Sequence, residues 1–285
     1  MLIDRFKNFS RKRISYILPT KNRVKYLEEF FSSIPALVNS DDELILIDGC
    51  STDGTRELIN KNSSLIDIYL SEADRSPAEA FNKGFLLANG RYIKILHDDD
   101  EFFPDAMEKA VAVMDKEPYI DVLLCGGTRS RQNNNYISDV YVPEGVNYGE
   151  NVKNVFQYTG CGTGLFIRRS SLARIGIFDT TFVPIDIEFL ARSISLGANV
   201  KFCRINMFHH IVHEHSSNVV LKDKIRNDMI LLRKIYGIEF SPDSCLDIPG
   251  EISKYFCRVI GRTSTKKSLK KYQFTGTANW DGGFS

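Results

Sequence analysis

What most constrains this chain is a series of short apolar runs, each closed by a polar turn and followed by apolar residues at helical spacing. Residues 14–18 are the first run, closed by Pro19-Thr20-Lys21-Asn22-Arg23, after which Leu27, Phe30, Phe31 and Ile34 recur with helical period as far as Pro35. Residues 43–47 end in Asp48-Gly49-Cys50-Ser51-Thr52-Asp53-Gly54-Thr55, and residues 65–70 make a third run. Ser76-Pro77-Ala78-Glu79 is a capping box with proline at the first helical position. It starts a helix expected to turn Phe81, Phe85 and Leu86 inward and to stop at Asn89-Gly90. The fourth run, residues 92–96, ends in His97-Asp98-Asp99-Asp100-Glu101, and Pro104 opens a helix with Met107, Ala110, Val111 and Met114 inward. Residues 122–125 make a fifth run. Such alternation implies βαβ units and a mostly parallel sheet covered on both faces. Ligands of such sheets bind at the carboxyl ends of the strands. Here those ends carry Thr20 to Arg23, Asp48 with Ser51 to Asp53, Glu72 to Arg75, and Asp98 to Asp100.

The 285 residues suffice for one large α/β domain or two small ones. A net charge of +1 gives no field directed at nucleic acid. There is no GxGxxG and no GxxxxGK[ST], so neither a dinucleotide fold nor a P-loop is supported. The six cysteines include no CxxC pair, which argues against a zinc ribbon or a thioredoxin-type motif. No segment has the look of a signal peptide or the length of a membrane span, so the expected setting is reducing and cytoplasmic.

Beyond about Gly126 the pattern changes. Residues 128–135 read as a polar loop and 136–142 as an added strand. Gly160-Cys161-Gly162-Thr163-Gly164 precedes the apolar Leu165-Phe166-Ile167, and helices are expected around 170–174 and from Pro184 to about Leu196. Strands are expected at 200–203 and 207–212, with a final helix over 221–236. A His-rich turn carrying His209, His210, His213 and His215 overlaps the last strand. Four segments follow: a basic arm (1–13), a half whose strand ends carry the expected ligand site (14–126), a second half of the same domain (127–236) and a tail (237–285).

Carboxylates crowded at a strand end repel one another unless a cation sits among them. Residues 97–101 are thus either a solvated acidic turn or a divalent-metal site. The order of the motifs resembles the inverting glycosyltransferases of family 2, which have the GT-A fold. The likeness runs through Tyr16-Ile17-Leu18-Pro19-Thr20-Lys21-Asn22-Arg23 and Ile47-Asp48-Gly49-Cys50-Ser51-Thr52-Asp53-Gly54-Thr55. It continues through Ser71-Glu72-Ala73-Asp74-Arg75, Ala80-Phe81-Asn82-Lys83-Gly84 and Ala88-Asn89-Gly90-Arg91-Tyr92. The acidic stretch falls where the family has its DxD-type motif.

The resemblance implies transfer of a sugar from a nucleotide diphosphate, UDP favoured, to an acceptor hydroxyl with inversion, in polysaccharide or glycolipid assembly. By it residues 14–126 are the nucleotide-sugar-binding half and 127–236 the acceptor-binding half, and Thr20, Asn22, Arg23, Asp48, Asp74, Arg75, Asn82 and Asp98 bind the nucleotide sugar. Asp99 holds Mn²⁺ or Mg²⁺, with Asp98, Asp100 and His215 as further ligands and His213 as the alternative to His215. Asp186 is the base, with Glu188 as runner-up; Asp186 also reads as a helix N-cap, and Asp48 and Asp53 as turn residues. The family often has a second acid where Gly49 stands, which leaves the choice of base open. A diphosphate held by metal leaves without a protein acid, so one catalytic carboxylate suffices. The acceptor is a glycan or a lipid-linked sugar. Ile252, Phe256, Val259 and Ile260, among Lys254, Arg258 and Arg262, form a basic amphipathic face suited to peripheral contact with an anionic membrane, alongside Arg5, Lys7 and residues 11–13. The rival readings are a degenerate binding or scaffold subunit and a sugar-phosphate nucleotidyltransferase, although Pro19 to Arg23 lacks the glycines of a triphosphate loop.

Overall fold

The computed structural model describes residues 12–131, 134–141, 151–157 and 162–238. Most of the basic arm, Gly160 and Cys161, and the tail from residue 239 lie outside these. Of the arm, Lys12 and Arg13 are described, and both brace the fold. Lys12 donates to the Asp42 carbonyl at 2.7 Å, and the Arg13 fork spans Asp42 and Glu108.

Each apolar run becomes a strand because it can be buried on both sides. β1 (Ile14–Thr20) and β2 (Glu43–Asp48) are buried almost throughout, as is β4 (Tyr92–Ile95). Ile14, Tyr16 and Leu18 face one core with Leu44, Leu46 and Tyr92, under α1 (Val24–Leu37), α2 (Thr55–Lys61) and α4 (Pro104–Lys116). Ile17, Ile45, Ile47, Ile93 and Ile95 face the other, under α3 (Pro77–Leu87), α5 (Val152–Gln157) and α7 (Ile185–Ser195). Ser76 caps α3 as its sequence implies, its hydroxyl accepting the Glu79 N–H at 3.3 Å. Leu86, expected inward, is 77% exposed, because α3 docks through Ala78, Phe81, Gly84 and Phe85. Helix α1 continues past Pro35 to Leu37, whose side chain is buried.

β3 (Ile68–Ser71) is shorter than expected because Ser63–Leu65 closes a 3₁₀ turn. β1 lies between β2 and β4, and β2 pairs β3, all parallel. The sheet continues through β8 (Leu165–Arg168), β6 (Val122–Arg131), β9 (Val200–Val212) and the two-residue β5 (Glu101–Phe102). β7 (Asn134–Tyr141) pairs β6. Beyond β4 the pairing is mixed: β8 is antiparallel to both β4 and β6, whereas β6 and β9 are parallel.

Two expectations fail here. Residues 128–131 are strand rather than loop, since β6 runs on between β7 and β9, with Thr128 and Ser130 turned to the two ring nitrogens of His209 at 2.7 and 2.9 Å. The strands expected at 200–203 and 207–212 are one strand whose register slips opposite Cys125 and Gly126. Short α6 (Leu172–Ile175) precedes α7, and α8 (Ser217–Val220) and α9 (Lys222–Ile235) follow β9.

Candidate active site

The loops after β1 and β2 interlock. Asn22 and Cys50 both take left-handed backbone (φ 53° and 60°), a costly conformation for residues with a side chain. It is held by Asn22 N–H donating to Ser51 Oγ at 2.8 Å and Asn22 Oδ1 accepting the Thr52 N–H at 2.8 Å. Arg23 N–H reaches Thr55 Oγ1 at 3.0 Å, so the base of the Arg23 side chain is fixed as well. Asp48 is fully buried. Its carboxylate accepts from Ser51 N at 3.0 Å and Ser71 Oγ at 2.7 Å, so its lone pairs already serve the loop. Asp74 lies against Gly49 instead, where a Cβ on residue 49 would fall 2.3 Å from its Oδ2. The space the family often gives to a second acid is thus taken by a carboxylate from the next loop. Burial raises the Asp74 pKa against the pull of Lys21 and Lys83.

The acidic turn is pinned by β5, whose Glu101 and Phe102 pair with His209 and Phe208 of β9. That pairing lays Asp98 to Asp100 across the end of β9. Asp98 accepts from Thr20 Oγ1 at 3.2 Å and from Arg23 Nη2 at 2.7 Å. Burial nonetheless raises its pKa. Asp99 Oδ2 is 2.7 Å from Arg23 Nη2 and 2.8 Å from His213 Nε2. Burial alone would raise Asp99, but His97, Arg23 and the His213 hydrogen bond hold it below the usual carboxylate range. Asp100 bonds His210 Nδ1 at 2.7 Å, the Ile211 N–H at 3.2 Å and Thr163 Oγ1 at 3.1 Å. Tyr26 stacks between Arg23, 3.9 Å above its ring, and His213, at 5.1 Å between centroids.

The third part of the site is the turn Gly162–Gly164 before β8. Thr163 is buried beneath Asp100, and its carbonyl accepts from the buried Lys94 of β4. Gly162 packs against Asp186, and a Cβ there would meet that of Asp186 at 3.0 Å. Asp186 stands in the first turn of α7 with Pro184 at the cap, so it is not the N-cap. Burial raises its pKa, against the pull of the backbone N–H groups of Ile187, Asp186 itself and Gly162, which favour the charged form. Glu188 is buried in an ion pair with Arg192 at 2.7 Å, and Arg192 also donates to the carbonyls of Ile175 and Ile177. One turn therefore touches the acidic cluster on one side and Asp186 on the other.

The Glycosyl transferase family 2 profile matches residues 15–176, more than half of the chain. The chain belongs to that family. A Bacillus subtilis protein provisionally named a teichuronic acid biosynthesis glycosyltransferase, TuaG, is 28% identical over 55% of this chain and 63% of its own length. The abequosyltransferase RfbV of Salmonella typhimurium is 35% identical over 39% of this chain and 35% of its own length. The chain thus spans less than two thirds of these relatives. S. aureus TarS in complex with UDP-GlcNAc superposes with a TM-score of 0.61 at 17% identity, over 79% of this chain and 66% of that one. A Pyrobaculum calidifontis mannosyltransferase with GDP-Man and Mn²⁺ gives 0.59 at 18%, over 90% and 76%. The fold is GT-A.

Against this family background, the structure gathers Thr20, Arg23, Asp98 and Asp99 around one point, with His213 added, whereas the Asp100 carboxylate is taken up by His210, Ile211 and Thr163. It does not bring His215 there: that side chain is exposed beside Glu214, since it is His213 that closes the end of β9 over Asp99. Asn82 is elsewhere too, its amide exchanging two 2.8 Å bonds with the Phe178 backbone. Arg75 is exposed and paired with Glu79, and Asn22 and Asp48 hold their own loops. Tyr26, Thr163 and Gly162 were not singled out as site residues in sequence. Each had a signal: Tyr26 stands one helical turn after Arg23, and Gly162 and Thr163 lie in the Gly-rich stretch 160–164, which could let backbone approach a sugar or be an ordinary loop.

Among the described residues no three His, Cys, Asp or Glu side chains form a ready metal cage. The chemistry of the donor set still fits Mn²⁺ or Mg²⁺, which take one or two carboxylates and complete their shell with substrate phosphate and water. Asp99 offers hard oxygen and His213 a borderline nitrogen beside it.

Proposed function

We propose that this chain transfers a sugar from a nucleotide diphosphate, UDP favoured, to an acceptor hydroxyl with inversion, in cell-surface polysaccharide or glycolipid assembly. The observation that carries the reading is the turn at Gly162–Gly164, which ties an acidic cluster that holds a guanidinium to a desolvated carboxylate that has no cationic partner among the described residues. Asp99, with Asp98 and His213, would hold Mn²⁺ or Mg²⁺ against the diphosphate. The ion supplies charge neutralisation to the leaving group, so no protein acid is needed. Arg23 adds a fork suited to phosphate oxygens. Asp186, raised by burial, takes the acceptor proton as the new C–O bond forms and the bond to the diphosphate breaks. Glu188 is spent on Arg192, which favours Asp186 as the base.

Asp74, standing where Asp48 is sealed off, is the carboxylate placed to accept a base N–H, as both uracil and guanine offer. TarS with UDP-GlcNAc and the mannosyltransferase with GDP-Man leave both bases in view. The names of TuaG and TarS support a glycan-building role; the cytoplasmic face, a glycan or lipid-linked acceptor and peripheral membrane contact through the basic tail are part of the proposal and rest on the sequence alone. Among the described residues no helix is long and apolar enough to cross a membrane. The test is thermal stability with UDP, GDP, dTDP or CMP, each with and without Mn²⁺. A metal-dependent rise with one nucleotide names the donor class. No rise with any of them overturns the reading in favour of a scaffold protein.

A further inference from the structure

Resting on that donor reading, we propose that Arg23 is the resident cation of the site and must be drawn onto the diphosphate before Asp99 can take a divalent ion. Arg23 Nη2 lies 2.7 Å from both Asp98 Oδ1 and Asp99 Oδ2, and Nε adds a third contact to Asp98 at 3.0 Å. The guanidinium therefore bridges the same two carboxylates that a metal would use. It is held in that place from below by Tyr26, at 3.9 Å, and from its own backbone by Thr55.

Two features make the arrangement an exchange rather than a fixed brace. The Arg23 side chain keeps a fifth of its surface exposed, Asp99 keeps 17% and Asp98 6%, and only the arginine is a long, jointed side chain. The arginine can swing on its long stem while the carboxylates stay. A diphosphate also offers the fork a second bidentate partner of greater charge. His213 guards Asp99 in the same sense. Its Nδ1 accepts the His215 N–H at 3.2 Å, so the proton sits on Nε2 and is donated to Asp99. The free ion thus meets a site whose oxygen is already bonded twice, and the nucleotide is what opens it.

The proposal predicts how the protein takes up Mn²⁺ with no nucleotide present. Free Mn²⁺ would be titrated into the purified chain and followed by the electron paramagnetic resonance signal of the aquo ion. Arg23→Gln should bind the ion at least about tenfold more tightly than wild type, in the range of an ordinary coupling between sites. Arg23→Lys, which keeps the charge but not the fork, should fall between the two and serves if Arg23→Gln does not fold. With UDP or GDP added, the gap between variant and wild type should close. If a folded Arg23→Gln and Arg23→Lys both bind free Mn²⁺ no better than wild type, the proposal is overturned while the donor reading stands. If wild type takes up no Mn²⁺ with any of UDP, GDP, dTDP or CMP, the donor reading fails and this proposal with it.

Discussion

Asp186 shows what a single side chain can owe to its surroundings. Burial lifts its pKa, so the basic form that would accept a proton dominates only above the usual carboxylate range. Transfer activity should therefore rise with pH through that raised value, with an acid limb displaced upward from an ordinary aspartate. The same shift has a sign for stability. A group whose folded pKa is raised favours the fold while protonated, and that contribution is lost as pH rises through the folded pKa. Asp186→Asn removes the charge and should lower kcat by about 10²- to 10⁴-fold. Its thermal midpoint should be equal to or above wild type at neutral pH. A loss of activity accompanied by a lower midpoint would instead mean that Asp186 is structural. Asp98, Asp99 and Asp186 could be picked out in sequence because each follows a strand or opens a helix in a fixed order. His213 and His215 could not be told apart, since which ring turns inward depends on where β9 ends. Asn82 lies inside a motif yet serves the backbone of Phe178, a partner 96 residues away that no local pattern reveals.

Elements carry the site through contacts that are costly to alter. Helix α7 is anchored by Arg192, which neutralises the buried Glu188 and holds the carbonyls of Ile175 and Ile177. Arg192→Ala should cost about 3 kcal/mol in denaturant unfolding, because it leaves Glu188 uncompensated. Glu188→Gln should cost less and leave kcat within a few-fold of wild type, the opposite of Asp186→Asn; a Glu188→Gln protein without activity would move the base to Glu188. Helix α3 comes close to β1 only because residue 84 has no side chain, a Cβ there falling 2.3 Å from Ile17 Cγ2. Gly84→Ala should thus destabilise by about 1–3 kcal/mol, measured in the same way. The αβ alternation, the Ser76 cap and the start of α4 at Pro104 were legible because each has a local cause. The strand at 128–131 was not, since its polar residues are paid for by His209 on a strand distant in sequence.

At the scale of the molecule, one sheet carries both halves of the site. β4, whose end bears the acidic turn, pairs with β8, which follows the turn that touches Asp186. The two bonds between Asn82 of α3 and Phe178 join the helices' flanks across the same boundary. A sheet without a break, with both of its faces packed, is expected to open as one cooperative unit. Ligand that binds only the folded state then stabilises every part of that unit equally. At a hundredfold excess over Kd the gain is about 2.7 kcal/mol. Hydrogen exchange should report it: core amides of α3, beside the donor loops, and of α7, which carries Asp186, should slow by the same factor of about 100 when UDP and Mn²⁺ are added. Protection confined to α3 would show that the second half opens on its own. The donor would then be bound by a module that exchanges separately from the base, and Asp186 would have to be positioned by the acceptor instead of by the shared sheet.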